Sequence, residues 1–160
     1  MKRVILVPPN GLLKKQDYVL ERISNFLTNI IKLKTTLVYI DSDDSKFHSF
    51  NQKVDFIKVK NELELLSFIE NTKYDLLFSR GWMHAYSFSK LLVEKFRNVI
   101  VYIKDWNFSN ENDYKFLFKD CSDFEAIDYI FKNALYILSH YTKEQYKIWS
   151  KRYNVNENKF

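Results

Sequence analysis

The sequence predicts an α/β fold with a doubly wound, mostly parallel sheet of about six strands. Apolar runs of strand length alternate with segments of 3.6-residue helical periodicity along much of the 160-residue chain. Because such alternation joins strands through crossover helices, the neighbouring strands should be parallel and the crossovers right-handed. The chain is 46% hydrophobic and 18% aromatic. This composition favours a packed core over disorder, and the length suits a single domain spanning residues 1–160.

The predicted strands are Val4–Pro9, Thr35–Asp41, Asp55–Lys60, Asp75–Gly81, Asn98–Asp105 and Leu135–His140. The stretches Val4–Val7, Leu76–Phe78 and Val99–Ile103 are apolar on both faces, as expected for strands covered on both sides. The third strand instead alternates, with Lys58 and Lys60 on one side, which is typical of an edge. With strands numbered along the chain, the order 3-2-1-4-5-6 satisfies these patterns.

The predicted helices are Leu13–Leu33, Asn61–Thr72, Ala85–Arg97, Phe124–Ala134 and Thr142–Tyr153. Asn61 with Glu64, and Thr142 with Gln145, have the spacing of an N-cap residue and its partner. In the first helix we expect an apolar face turned toward the core, comprising Val19, Ile23, Phe26, Leu27 and Ile30. Its basic residues should lie on the opposite, solvated face.

The predicted strand order reverses direction between the first and fourth strands. Ligands of open parallel sheets bind beyond the carboxyl ends of the strands at such a switch point. The segments expected there are Pro8–Leu12, Ser79–His84, Lys104–Asn107 and Ser139–Thr142. These segments contain both glycines of the chain, so backbone freedom is concentrated where a ligand would bind.

Asn10 and Gly11 form a short turn that leads into a helix. A glycine there allows close approach of a ligand, and the helix N-terminus attracts phosphate. The alternative is simply a tight turn between a strand and a helix. Neither the glycine-rich dinucleotide fingerprint nor a P-loop is present, so no nicotinamide or ATP cofactor is expected.

The segment from Ser79 to His84 offers several groups that suit ligand binding. Arg80 suits phosphate or carboxylate, Gly81 gives a flexible backbone point, and Trp82 suits the face of a sugar. His84 adds an imidazole. In the structural alternative, Trp82 and Met83 pack beneath the next helix and His84 caps it.

Two further segments follow predicted strands. Lys104 and Asp105 suit the end of a strand at a polar cleft, where Asp105 would orient an acceptor hydroxyl and Lys104 would offset negative charge. The alternative is a solvent-exposed ion pair. Ser139 precedes His140, but adjacent strand residues point to opposite faces and no hydrolase elbow is present, so Ser139 is a candidate binding residue only.

Composition limits the metal sites, partners and cellular locations that the sequence predicts. A single cysteine, Cys121, and three histidines without ligand spacing predict no metal site. The net charge of +5 is compatible with phosphorylated ligands, with nucleic acid or with an anionic membrane. Because the aromatic residues fall mainly at core spacings, nucleic acid is not expected as a partner. No signal peptide or spanning segment is evident, so a cytoplasmic location is expected, with peripheral contact on the inner membrane face as a further possibility.

Four segments together resemble the N-terminal domain of GT-B-fold glycosyltransferases of the large retaining group. They are Asp75-Leu-Leu-Phe-Ser-Arg-Gly81, Asn98-Val-Ile-Val-Tyr-Ile-Lys-Asp-Trp106, Asn133-Ala-Leu-Tyr-Ile-Leu-Ser-His-Tyr-Thr142 and Lys151-Arg-Tyr-Asn-Val-Asn-Glu-Asn-Lys-Phe160. The resemblance covers the whole chain and is most specific in the last third. It departs from the family at Asn10, where a second glycine is usual, and at Lys104, which replaces a histidine.

The resemblance implies a Rossmann-like domain that forms the acceptor-side half of a transferase. The partners would be a nucleotide-sugar donor and a sugar or lipid-linked acceptor, with Gly11 contacting the donor diphosphate. A second, donor-binding domain would follow Phe160 in the family's arrangement. Two other classes remain open: a stand-alone ligand-binding α/β module, and an interaction domain without catalysis.

Overall fold

The computed structural model describes residues 1–13, 17–42, 53–82, 84–104, 106 and 122–160. The strands within these ranges are β1 Arg3–Val7, β2 Leu12–Leu13, β3 Lys34–Tyr39, β4 Asp41–Ser42, β5 Asp55–Lys58, β6 Leu76–Arg80, β7 Val99–Ile103 and β8 Tyr136–Ser139. The α-helices in the described ranges are α1 Tyr18–Asn25, α2 Glu62–Asn71, α3 Tyr86–Lys95, α4 Ser122–Asn133 and α5 Lys143–Tyr153. A π-helix, Phe26–Ile30, continues α1, and short 3₁₀ turns span Pro9–Gly11 and Glu157–Lys159.

The main sheet has six strands in the order β5-β3-β1-β6-β7-β8. In the numbering used for the sequence this is 3-2-1-4-5-6, so the predicted strand order and the Rossmann-like α/β class are confirmed. The pairings β1–β3, β1–β6, β3–β5 and β7–β8 are all parallel. The strand predicted to be an edge, Asp55–Lys60, corresponds to β5 at one end of the order.

The chain forms two compact units, Met1–Arg80 and Gly81–Phe160. In the first, β1 is central and buried from Val4 to Val7. The first unit also contains a small parallel pair that was not predicted, in which β2 lies beside β4 with Leu12 opposite Asp41. Helix α2 begins at the predicted cap: Asn61 Oδ1 accepts a hydrogen bond from Glu64 N at 2.9 Å. The Glu64 carboxylate in turn accepts from the backbone N of Lys60, the residue before the cap, at 2.9 Å.

The first helix differs from the prediction of a single helix over Leu13–Leu33. It begins at Tyr18, because Asp17 serves as the N-cap and accepts a hydrogen bond from Leu20 N at 3.2 Å. At Phe26 the hydrogen-bond spacing widens to a π-helix, in which Ile31 N donates to Phe26 O. A π-segment changes the angular position of every later side chain, so a strict 3.6-residue pattern stops predicting which residues face inward.

The prediction that Phe26 and Ile30 face the core is wrong. Phe26 is 52% exposed and Ile30 is 67% exposed. The inner side of this helix instead includes polar residues whose hydrogen bonds are satisfied. Ser24 Oγ donates to Glu21 O at 2.8 Å, and Thr28 Oγ1 donates to Thr35 Oγ1 at 2.9 Å. A polar group can be buried at little cost when it keeps a hydrogen-bond partner.

The second unit packs α3, α4 and α5 with the parallel pair β7–β8. Its core is aromatic: the Phe131 ring stacks on Tyr153 at a centroid separation of 4.2 Å and meets Trp149 edge-on at 5.2 Å. Helix α5 begins at the predicted cap, where Gln145 N donates to Thr142 Oγ1 at 3.4 Å, and it ends at Asn154 in the left-handed conformation. The predicted helix Phe124–Ala134 is α4, displaced by at most two residues at its start.

Candidate functional site

The turn after β1 holds Asn10 and Gly11, both predicted to bind ligand. Asn10 is exposed at φ 51°, and Gly11 is buried at φ +72°, a backbone conformation that favours glycine. Gly11 N donates to Pro8 O at 3.0 Å, and Gly11 O accepts from Ile40 N at 2.8 Å. A Cβ at this position would lie 2.7 Å from Ile40 Cδ1. Turn geometry and packing therefore explain the glycine, and its contact with a donor diphosphate stays a prediction.

Arg80, at the carboxyl end of β6, lies inside the first unit. Its side chain is 1% exposed, and its Nε is 3.4 Å from Asp17 Oδ1, whose side chain is 4% exposed. The same carboxylate caps α1 through Leu20 N. Buried charges are stable only when they are paired and hydrogen-bonded. The geometry therefore gives Arg80 a structural partner at the start of α1, while binding of an anionic ligand by Arg80 stays a prediction.

Helix α3 is capped by a residue that the sequence analysis did not single out. Asp123, at the start of α4, is 2% exposed, and its two carboxylate oxygens accept from His84 N and from Tyr86 N. The local N-cap, Ala85, has no side-chain acceptor. His84 is exposed and has a left-handed backbone, φ 64°, which turns its amide toward Asp123. A carboxylate thus occupies the helix N-terminus that would otherwise attract an anionic ligand.

Tyr86, the first residue of α3, fixes the backbone at the end of β7. The Tyr86 side chain is fully buried; its hydroxyl accepts from Lys104 N at 3.0 Å and donates to Lys104 O. The Lys104 ammonium group lies 4.4 Å from the centroid of the Trp82 ring, a cation–π arrangement. Lys104 and Trp82 are both partly exposed. Lys104 and Trp82, both predicted site residues, therefore lie together as a cation beside an aromatic ring. The Tyr86 hydroxyl fixes the Lys104 backbone through its two hydrogen bonds.

Gly81 precedes Trp82 and permits this arrangement. Its amide donates to Tyr102 O at 2.9 Å. A Cβ at position 81 would lie 2.6 Å from Tyr86 Cε1 and 2.8 Å from Tyr102 O. The glycine is needed because the Tyr86 ring and the β7 backbone approach closely. Its role is to let Trp82 and Tyr86 pack near the end of β7.

Ser139 ends β8, where its Oγ is buried and has no hydrogen-bond partner within the described part of the chain. Its carbonyl accepts from the Tyr146 hydroxyl at 2.9 Å. Burial raises the pKa of Tyr146. Nearby, Tyr102 Oη and His140 Nδ1 are 3.2 Å apart. Ser139 therefore precedes the histidine of a tyrosine–histidine pair, but among the described residues no base forms a hydrogen bond with its hydroxyl.

Three further observations concern the remaining candidate residues, metal binding and the surface recess of the first unit. Asp105, predicted to be catalytic, lies outside the described residues, as do Met83 and Cys121. Among the residues that the structure describes, no three His, Cys, Asp or Glu side chains group closely enough to hold a metal ion. A surface recess of about 390 Å³ lies at the amino end of β1 in the first unit and is lined by Met1, Lys2, Arg3, Lys73 and Asp75. This recess lies at the opposite end of β1 from Asn10 and Gly11.

Comparison of the chain with protein-family models, curated proteins and solved structures gives no match. Across the described ranges, no helix combines the length and apolar character that crossing a membrane requires.

Proposed function

We propose that this chain is the N-terminal, acceptor-side domain of a glycosyltransferase that moves a sugar from a nucleotide-sugar to an acceptor hydroxyl. The observation that supports it most is the pairing of Lys104 with Trp82 at the carboxyl end of β7. Carboxyl ends of parallel strands are the usual ligand-binding edge of this fold class, which agrees with the proposal. An aromatic plane suits the apolar face of a sugar, and an adjacent ammonium group suits a phosphate.

In the proposed reaction, the acceptor oxygen forms a bond to the anomeric carbon while the bond from that carbon to the diphosphate breaks. The acceptor hydroxyl loses its proton, and the nucleoside diphosphate leaves with the electron pair. Lys104 would offset the negative charge that develops on the leaving group, and Asp105 is proposed to orient the acceptor hydroxyl. Trp82 would align the sugar ring. The nucleotide itself would be held mainly by a second domain.

A second candidate, a ligand-binding or interaction module without catalysis, is favoured by a different observation. Asp17 occupies the N-terminus of α1, and Asp123 occupies that of α3. In α/β folds these helix ends commonly bind phosphate, so internal carboxylates there oppose an anionic donor. A transferase built on this chain would therefore contact the diphosphate through Lys104 rather than through these two helices.

The transferase proposal is tested by titrating the chain with several nucleotide-sugars while following amide signals by NMR, with a turnover assay on the same sample. We expect millimolar affinity, about 4 kcal/mol of binding free energy, and no turnover, because one domain cannot position both reactants. Shifts should include Trp82 and Lys104. Lys104→Met should abolish these shifts, whereas Lys147→Met, on exposed α5, should leave them unchanged.

Absence of binding by any nucleotide-sugar, or equal binding by the Lys104→Met variant, would contradict the transferase proposal. Micromolar binding or turnover by the 160-residue chain would contradict its assignment as one half of a two-domain site.

A further inference from the structure

Helix α1 and the π-helix that follows it present large apolar side chains to solvent. Tyr18 is 59% exposed, Phe26 52%, Ile30 67% and Ile31 48%. Single exposed apolar residues are normal on protein surfaces, but a concentration on one element marks an interaction surface. Tyr18, Phe26 and Ile30 are separated by multiples of four residues, and Ile31 follows at the end of the π-helix. They form a stripe on the outer side of a helix whose inner side is held by Leu20, Ser24 and Thr28.

The end of this stripe leads into a basic edge. Lys32 is exposed with a left-handed backbone at φ 61°, and Lys34 begins β3. Lys34 N donates to Lys2 O at 3.0 Å, and Lys34 is opposite Arg3 in the strand register. These basic residues therefore gather at the amino ends of β1 and β3, adjacent in sequence to Ile30 and Ile31.

Acidic groups only partly offset this charge. Asp55 lies 3.4 Å from the Lys34 ammonium group, and Asp75 accepts a hydrogen bond from Arg3 N at 2.7 Å. Lys73 and Lys2 also line the recess beside Asp75. Lys2, Arg3, Lys32, Lys34 and Lys73 together outnumber the two carboxylates, so the edge is positively charged.

We propose that Phe26, Ile30 and Ile31, together with Lys2, Arg3, Lys32 and Lys34, form a docking surface for an anionic lipid bilayer. We call it the amino-edge surface. The apolar side chains enter the boundary between headgroups and acyl chains, and the lysines contact lipid phosphates. Charge complementarity selects this occupant, because apolar groups rimmed by basic ones match an anionic bilayer better than a neutral protein surface. The proposal does not depend on the transferase assignment.

The amino-edge surface differs from the solvated basic face that the sequence pattern suggested for the first helix. That pattern placed Phe26 and Ile30 in the core, which would leave only charge on the outside. With both residues exposed, apolar insertion adds to electrostatic attraction. Binding should therefore depend on both kinds of residue, which a purely electrostatic contact would not.

The test is sedimentation of the full chain with phosphatidylcholine vesicles that contain or lack phosphatidylglycerol. We expect binding to the anionic vesicles only, weakened by added salt because surface charges are screened. Ile30→Ser with Ile31→Ser should weaken the partition coefficient at least about tenfold. The matched control, Leu63→Ser with Ile148→Ser, changes two apolar residues elsewhere that are at least as exposed on average, and it should bind as wild type.

Charge is tested in the same assay. Lys2→Gln with Lys32→Gln should weaken binding about thirtyfold, from about fivefold for each lysine. Lys147→Gln with Lys151→Gln removes the same charge from exposed α5 and should have a much smaller effect. Because all of these side chains are exposed, circular dichroism should show unchanged folding in every variant.

Three outcomes would overturn the proposal. The first is equal co-sedimentation of the protein with neutral and anionic vesicles. The second is an equal loss of vesicle binding in the test variants and the control variants. The third is concentration-dependent self-association, seen by sedimentation velocity, that Ile30→Ser with Ile31→Ser abolishes while wild type ignores vesicles. That last result would assign the amino-edge surface to a second copy of the chain.

Discussion

Replacing Arg80 by methionine is expected to destabilise the protein strongly, because it leaves the Asp17 carboxylate buried without its cation. The Arg80 and Asp17 side chains are 1% and 4% exposed, and Arg80 Nε lies 3.4 Å from Asp17 Oδ1. Methionine keeps most of the apolar volume of the arginine side chain while removing the guanidinium group. The change therefore isolates the charge rather than creating a large cavity.

The expected magnitude follows from that distance. Two unit charges at 3.4 Å attract by about 5 kcal/mol at an effective dielectric constant of about 20. Desolvation offsets much of this attraction in the intact pair, but removing one partner leaves the other uncompensated. We therefore expect the Arg80→Met variant to lose about 3 to 5 kcal/mol of unfolding free energy.

The measurement is urea denaturation followed by far-ultraviolet circular dichroism. With a slope of about 2 kcal/mol per molar urea, the midpoint should fall by roughly 2 M. Asp17→Asn preserves an N-cap acceptor for α1, so it tests the charge with the cap retained. The double variant, Asp17→Asn with Arg80→Met, should be less destabilised than the sum of the single changes, since no lone charge remains.

A loss of unfolding free energy below about 1 kcal/mol for Arg80→Met, with additive single and double variants, would show that the buried Asp17 carboxylate does not depend on Arg80. Arg80 would then not be held by Asp17. A ligand-binding role for the guanidinium group would become the better explanation of its presence at the end of β6.

Two further predictions concern the second unit, which contains all three tryptophans and can be followed by their fluorescence. Gly81→Ala should lower the unfolding free energy by about 1 to 3 kcal/mol, because the added Cβ would lie 2.6 Å from Tyr86 Cε1. An unchanged urea midpoint would contradict this close packing. Tyr153→Phe should cost about 1 kcal/mol at neutral pH, because Trp106 Nε1 donates to the Tyr153 hydroxyl at 2.9 Å. Burial raises the folded-state pKa of Tyr153, so this stabilisation is complete below the unfolded value of about 10 and is lost as pH rises above it. The stability difference between wild type and Tyr153→Phe should therefore shrink above about pH 10, and a difference that grows there would be inconsistent with a raised pKa.

Local signals in the sequence were sufficient for the architecture. The strand order followed from which runs are apolar on both faces and which alternate, because covering by helices on two sides leaves no polar position. The starts of α2 and α5 followed from Asn61 and Thr142, because an N-cap and its partner are only three residues apart. In both cases the deciding interactions lie within one strand or one helical turn.

In the first helix, the sequence pattern did not predict which side chains are buried. Its periodicity predicted that Phe26 and Ile30 are buried, yet both are exposed. The π-helix at Phe26–Ile30 and the hydrogen bond between Thr28 and Thr35 determine which side turns inward. That bond joins a helix to a strand, so the helix pattern alone contains no sign of it.

The candidate site depended still more on tertiary structure. The sequence placed Arg80, Trp82 and Lys104 at strand ends, but it did not distinguish the arginine that is buried against Asp17 from the lysine that lies over Trp82. Asp123 gave no signal of its own, because it caps α3 from a position 39 residues after His84. Contacts between residues distant in sequence are formed only when the chain folds. Local patterns were therefore enough to predict which segments form the sheet, whereas contacts between distant residues bury Arg80 against Asp17 and leave Lys104 partly exposed.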